Sequence, residues 1–338
     1  LVGSEMCIRD RYEGVIDNNQ YKTSQTRGLT TQQSNTAFDV KSLESGLLNI
    51  SKKQFPTDKY LYQEGQTIKT AEAQKWLARQ SKDNTLGLNP EDNGEKEPDK
   101  RNPLYLQQIL EQDFLGADGA LEGMSIGLGM NQVDYYTKEQ YGATFETKIS
   151  SAMMAQQGKQ MANKVLTRLR QKKGLSKTTI VVGLYKQAPK DSLVGGTFFA
   201  YGVSKNGSTT IDSWHKMNQA NQVFPLVNDE KAVNQSDADA FTSFKEQVQT
   251  FFPNLSGVTA QAHYEDGVLA GMNITVNTQF YSETEIMSFT QYIATAADKY
   301  LPQNIPLDIS ISSAEGMQAY VGRAAGSKGF STHVFGSY

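Results

Sequence analysis

Residues 118–126 read DGALEGMSI, and residues 266–274 read DGVLAGMNI. Asp, Gly, Leu, Gly, Met and Ile recur in register, six of nine positions. A nine-residue match around a Gly-rich turn can arise by chance, so the flanks decide. In each copy a segment with helical spacing precedes the turn and a strand pattern follows it. A long amphipathic helix comes next, then a short β-rich run, IVVGLY (180–185) in one and LDISIS (307–312) in the other. Self-similarity with matching flanks is the mark of duplicated architecture. A strand–helix–strand crossover is right-handed and lays its helix on one face of the sheet. The expectation is an α+β protein of two related repeat domains, each a mixed β-sheet with helices packed on one face. The first would span residues 12–190 and the second 191–338, joined near 187–196.

The remaining elements follow from periodicity. SETEIMSFTQYIATAADKYL is the clearest helix, with Ser282 and Glu285 as a capping box and a seam of Ile286, Phe289, Ile293, Ala296 and Tyr300. SDADAFTSFKEQVQTFF puts Phe241, Phe244, Val248, Phe251 and Phe252 on one stripe, with Ser236 as N-cap and Pro253 as stop. A third helix covers about 148–173, with Met161, Val165 and Leu169 spaced at four and Gly174 ending it. Asn102-Pro103 reads as a helix start, with Leu106, Ile109 and Leu110 on one face. Strands are expected at 178–185, 196–204, 257–265 and 307–313, with Asn206-Gly207 and Asp266-Gly267 as turn dipeptides. Residues 80–103, dense in charge, Asn, Gly and Pro, read as an exposed mobile loop.

Composition narrows the function classes. The chain has 338 residues, enough for two cores, with 38% apolar residues and large buried surfaces available from 15 Phe and 16 Tyr. A net charge of −3 and a pI near 5.8, without a basic stripe, argue against a nucleic-acid partner. One cysteine, Cys7, excludes a disulfide framework, and no Cys/His cluster suggests zinc. No apolar run approaches the roughly 18–20 residues of a membrane span.

No catalytic set assembles from spacing. His215, His263 and His333 are far apart and outside any metal-binding pattern. Ser213-Trp214-His215-Lys216 matches the Ser-x-x-Lys spacing of acyl-enzyme hydrolases, in which lysine sits one helical turn from the nucleophile, but its companion motifs are missing. The glycines of residues 123–129 fail the GxGxxG spacing and fall inside a strand, which points to close backbone packing. Carboxylates are abundant without a spacing that singles out an acid–base pair. No catalytic residue, metal ligand or cofactor is therefore expected. The candidates for binding are Tyr185, Lys186 and Gln187, which leave the last strand of the first repeat, where ligands gather in sheet proteins. The same polar and aromatic mixture also suits a solvated linker.

The segments QTRGLT (25–30), DKYLYQEGQ (58–66), RNPLYLQQILEQDFL (101–115), KEQYGATFE (138–146), VVGLYKQAPKDS (181–192) and FTQYIATA (289–296) occur in this order. Together they resemble the CamS family, cell-surface lipoproteins of Gram-positive bacteria named for the sex pheromone cAM373 precursor. The resemblance runs from about Tyr12 to the C-terminus. It implies two repeats, a signal peptide ending in a lipidated cysteine, and a mature domain anchored to the membrane from outside. It also implies that any pheromone peptide comes from the signal peptide rather than the folded part. It transfers no catalytic residue.

The resulting expectation is a non-enzymatic, monomeric surface module that binds an envelope ligand or protein, touching the membrane only through a lipid anchor. The alternatives are an envelope hydrolase with a carboxylate site at the domain junction, and a structural spacer. In LVGSEMCIRDR (1–11), Glu5 stands where a lipobox needs a small neutral residue, and no apolar region precedes Cys7. Residues 1–11 thus read as a non-native leader and Cys7 as neither anchor nor functional thiol. By this reading the fragment lacks the true signal peptide and lipobox.

Overall fold

The computed structural model describes residues 11–30, 37–227, 229–251 and 257–336, so Cys7, Phe252 and Pro253 lie outside the described residues. The chain forms two compact units, Leu1–Met217 and Asn218–Tyr338. The first begins with a small ribbon, β1 (Ile16–Asp17) and β2 (Gln20–Tyr21), and helix α1 (Ala37–Ser51). Then come β3 (Leu61–Glu64), α2 (Thr70–Leu77), β4 (Leu106–Leu115) and β5 (Leu121–Met130). A two-stranded hairpin, β6 (Val133–Thr137) and β7 (Thr144–Lys148), precedes α3 (Ser151–Arg170). β8 (Thr179–Lys186), β9 (Thr197–Ser204) and β10 (Trp214–Lys216) complete a six-stranded sheet in the order β10-β9-β8-β5-β4-β3.

The second unit contains β11 (Gln219–Phe224), α4 (Gln235–Phe251), β12 (Gly257–Glu265), β13 (Val268–Asn277), α5 (Glu283–Tyr300), β14 (Leu307–Ser313), β15 (Gly316–Arg323) and β16 (Ser331–Val334). Its six strands run in sequence order, β11 to β16. Each sheet has one parallel pair at its centre, β5 with β8 and β13 with β14, where a helix makes the crossover. The duplication extends to individual residues. Met124 pairs with Ile180, and Met272 pairs with Leu307. The hairpins β4–β5 and β12–β13 share a register slip near the turn, where Glu122 and Ala270 are the extra residues; β4–β5 slips once more near Leu106. The pair after the crossover slips again at matching places, beyond Leu184 and beyond Ile311. Bulges are designed features of a strand, and two shared bulges are strong evidence of common descent.

The two units differ in what covers the second face of the sheet. Helices α2 and α3 pack on one face of the first sheet against Met124, Ile126, Leu128, Ile180 and Val182. Helix α1 packs on the opposite face, where Leu43, Leu47 and Ile50 meet Phe114, Val181, Tyr185 and Phe198. Helices on one face therefore describe the second unit, and the first carries an additional layer. Alternation along β5 explains how both faces are filled: Met124, Ile126, Leu128 and Met130 point one way, Gly123, Ser125, Gly127 and Gly129 the other. A Cβ added at Gly127 would lie 3.1 Å from Leu43 and 3.3 Å from Leu47, so the glycine is what lets α1 sit close. On β13 the corresponding outward residues are Asn273, Thr275 and Asn277, all exposed.

Several expectations change. The junction expected at 187–196 is a loop inside the first sheet, because β9 pairs back onto β8 and β10 onto β9; the units divide after Met217 instead. The helix expected from Pro103 is strand β4, nearly all of it buried. Its Leu, Gln and Glu are good helix formers, but burial on both faces overrides propensity. The 80–103 segment is exposed in part yet tied down: Asn89 is fully buried, accepts from the backbone of Tyr105 and Leu106, and donates to Leu77 and Leu106 carbonyls. Arg79 adds bonds to the carbonyls of Pro90 and Asn102. At α4 it is Asn234, not Ser236, whose side chain accepts at the helix start. Ser282 occupies the N-cap of α5, but its side chain makes no capping bond, so the box with Glu285 is not formed. Helix α3 stops at Arg170 with Gln171 as its C-cap, so Gly174, at φ +86°, lies in the turn beyond the helix rather than at its end.

Candidate functional site

The parallel strands β5 and β8 end at the same edge of the first sheet, the position at which open sheets collect ligands. Two insertions leave from there. Residues 131–150, which contain β6 and β7, stand where the second unit has only 278–282; residues 187–196 stand where it has Ala314-Glu315. The polar 78–105 segment is fastened to the inserted hairpin by Arg101, whose guanidinium lies 2.5 Å from buried Asp134 and stacks 3.8 Å from the Tyr136 ring. Asp134 also accepts from Leu104 N–H, and Thr147 donates to the Pro98 carbonyl. A buried charge with this many partners fixes the position of the hairpin.

These segments enclose a half-open groove of about 340 Å³ lined by Pro98, Tyr135, Thr144, Phe145, Glu146 and Lys190. Tyr135 and Glu146 face each other across the hairpin. The Lys190 ammonium lies 5.1 Å from the Tyr135 ring centre, a cation–π contact. Burial, aided by the charges of Glu146 and Asp191, raises the Tyr135 phenol above its ordinary pKa, so it stays a neutral donor at physiological pH. The groove offers an apolar wall, one cation, one carboxylate and a neutral phenol: a site equipped for recognition.

The residues expected to bind are next to this groove rather than in it. Tyr185 is fully buried on the α1 face and donates to Asp39 at 2.9 Å. Asp39 also accepts from Ala188 and Gly196 N–H, so this cluster pins the loop after β8 to α1. Gln187 is 3% exposed; its N–H donates to Met130 O and its carbonyl accepts from Gln132. Lys186 is half-buried at the strand end. Lys190, three residues beyond Gln187, is the one that reaches the groove. Sequence reasoning missed Tyr135 and Glu146, although VDYYT and TFETK around Gly142 carry a hairpin pattern.

The other candidates do not assemble. Ser213 and Lys216 lie along an extended segment, not a helix, so spacing by three sends their side chains to opposite faces. His215 stacks on Tyr201 at 4.8 Å, and His263 pairs through Nδ1 with Asn221 Oδ1 at 2.6 Å. Among the described residues no group of His, Cys, Asp and Glu is arranged to hold a metal ion. No described helix is long and apolar enough to cross a membrane.

Two carboxyl groups converge where spacing gave no hint. Glu111 and Asp113 on β4 are both buried, in the core positions that Ala260 and Ala262 occupy in the second unit. Glu111 accepts from the N–H groups of Thr67 (2.9 Å) and Ile68 (2.7 Å), and Asp113 from that of Gln66 (3.0 Å). Burial, then the charge of Glu111, pushes the Asp113 carboxyl up to about 9. The pair clasps the segment that leads from β3 into α2.

Comparison with known proteins adds identity to this geometry. The family model for CamS, the sex pheromone cAM373 precursor, matches residues 21–329. The crystal structure of a sex pheromone precursor from Lactobacillus salivarius subsp. salivarius UCC118 is 50% identical, with TM-score 0.92, covering 98% of this chain and 97% of that one. The C-terminal domain of the sex pheromone staph-cAM373 precursor from Staphylococcus aureus is 30% identical, with TM-score 0.79, covering 89% and 98%. No curated protein matches the chain.

Proposed function

The chain belongs to the CamS family of sex pheromone cAM373 precursors, and from that premise we propose that its folded units form a non-enzymatic binding module. In this reading the module is held at the outer cell surface by a lipid anchor, and any pheromone peptide resides in the signal peptide of the precursor, not in the folded units. The observation that carries the binding role is the groove on the first unit. It is built by insertions at the C-terminal ends of the parallel strands, and the second unit, with the same strands in the same register, has short connections there. Binding rather than catalysis is supported by where the chemistry falls, since Ser213 and Lys216 diverge and the groove presents a neutral phenol beside one lysine and one glutamate.

The test uses the intact protein immobilised against solubilised envelope material. Wild type should retain a component that Tyr135→Ala/Lys190→Ala does not, with both proteins equally stable to denaturant. Equal retention by the two proteins, or none by either, would remove the groove from the function.

A further inference from the structure

The groove contains information about the shape of what it binds. Thr144, Phe145 and Glu146 are consecutive residues of β7, and successive side chains of a strand leave opposite faces. A cavity on one face of the ribbon would touch alternate residues. This one touches all three. Its other walls also come from both sides of the ribbon. Tyr135 and Lys190 stand on the face of Glu146, whereas Pro98 belongs to the 96–101 segment, which binds Thr147 and Tyr136 on the opposite face. The groove therefore runs along the outer edge of β7.

That edge has no strand beside it among the described residues: β6 and β7 form a two-stranded sheet of their own. An edge strand presents a row of backbone donors and acceptors, the template to which an extended chain adds. Five residues of β7 span about 16 Å at roughly 3.3 Å per residue, enough to pair with a four- to five-residue segment. The flanking side chains suit such a guest. Tyr135 with its overlying Lys190 would receive side chains on one side of the added strand, Pro98 those on the other, while Glu146 and Lys190 supply one charge of each sign.

We propose that the β7 edge captures an extended peptide as a third strand of the β6–β7 ribbon, with main-chain hydrogen bonds supplying affinity and the Tyr135–Lys190 and Pro98 walls supplying selectivity. This rests on the reading of the groove as the binding site and gives its ligand a class.

The experiment pans the full chain against a displayed library of random octapeptides, then measures the enriched sequences as capped synthetic peptides. Enriched peptides should protect amides of residues 144–148 from hydrogen exchange. N-methylation of every second peptide residue should weaken binding tenfold or more in one register and leave it nearly unchanged in the other, since only alternate N–H groups face β7. Lys190→Ala and Tyr135→Ala should each weaken binding without altering the denaturation midpoint. The proposal is overturned if no peptide is enriched, if protection maps to another edge, or if both N-methyl registers bind alike. A parallel titration with oligosaccharides separates the two readings. Saccharide-induced shifts at Tyr135 with no peptide binding would overturn the peptide class while keeping the groove as a site. Silence from both probe classes would overturn the two together.

Discussion

The two units share a strand order, a parallel centre and two bulges, yet one sheet lies between helix layers and the other keeps a polar face. Aligned positions expose the cause. Where β5 has Gly123, Ser125, Gly127 and Gly129, β13 has Gly271, Asn273, Thr275 and Asn277; where β8 has Val181, Gly183 and Tyr185, β14 has Asp308, Ser310 and Ser312. One face of an ancestral sheet has been rebuilt twice, once to seat a helix and once to meet water, while the other face kept the same Met and Ile. The insertions that form the groove went to the unit whose sheet is covered on both sides.

Matched substitutions can break or sharpen that comparison. The largest difference is expected at Phe114 and its counterpart His263. Phe114 is fully buried and stacks on Phe55 at 4.5 Å, so Phe114→Ala should cost the first unit about 3–5 kcal/mol. His263→Ala loses a half-exposed side chain and its bond to Asn221, and should cost the second unit no more than about 1 kcal/mol. Both tryptophans, Trp76 and Trp214, lie in the first unit, so fluorescence follows that unit while circular dichroism follows the whole chain. Equal costs would mean that the second faces are not different in kind.

A smaller contrast is expected at Gly127 and Thr275. Gly127→Leu must push into Leu43 and Leu47 and should destabilise the first unit by about 1–3 kcal/mol. Thr275→Leu adds an apolar group on an open face and should stay within about 0.5 kcal/mol. A tolerated Gly127→Leu would show that α1 is not held closely against β5.

The third contrast is one of slope rather than level. Asp113 is pushed up to about 9 in the folded unit and returns to about 4 when unfolded. Between those values the folded unit retains a proton that the unfolded chain releases, so stability of the first unit falls as pH rises from about 4 to about 9. Asp113→Asn should flatten that fall in denaturation midpoints measured by tryptophan fluorescence; the second unit has the uncharged Ala262 at the matching position. An unchanged slope in the variant would assign it to other groups.

How much of this is written in the sequence depends on solvent. GVTAQAHYE is legible as a strand because one of its faces is wet, which makes apolar and polar residues alternate. LQQILEQDFL is not, because both faces are covered and its buried Gln, Glu and Asp are satisfied by distant partners: Gln112 donates to Glu44 O, and Glu111 takes amides from Thr67 and Ile68. The duplication was visible because the turn and the strand after it tolerate little change. The groove was half visible. Strand β8 led to the right end of the sheet, but Pro98, Tyr135, Glu146 and Lys190 come from separate segments that only the buried Arg101–Asp134 pair and the Asp39 cluster bring together.

The bulge at Glu122 and Ala270 has a consequence of a different sort. Leu121 and Gly123 pair with the adjacent residues Leu115 and Phe114, so the extra residue stands outside the alternation that sets the facing of the strand. Glutamate in one copy and alanine in the other show that the position accepts unlike side chains. Deleting Glu122 would keep the methionines toward α3 and the glycines toward α1 and lose only the local bend, whereas dropping one residue further along β5 would exchange the two faces.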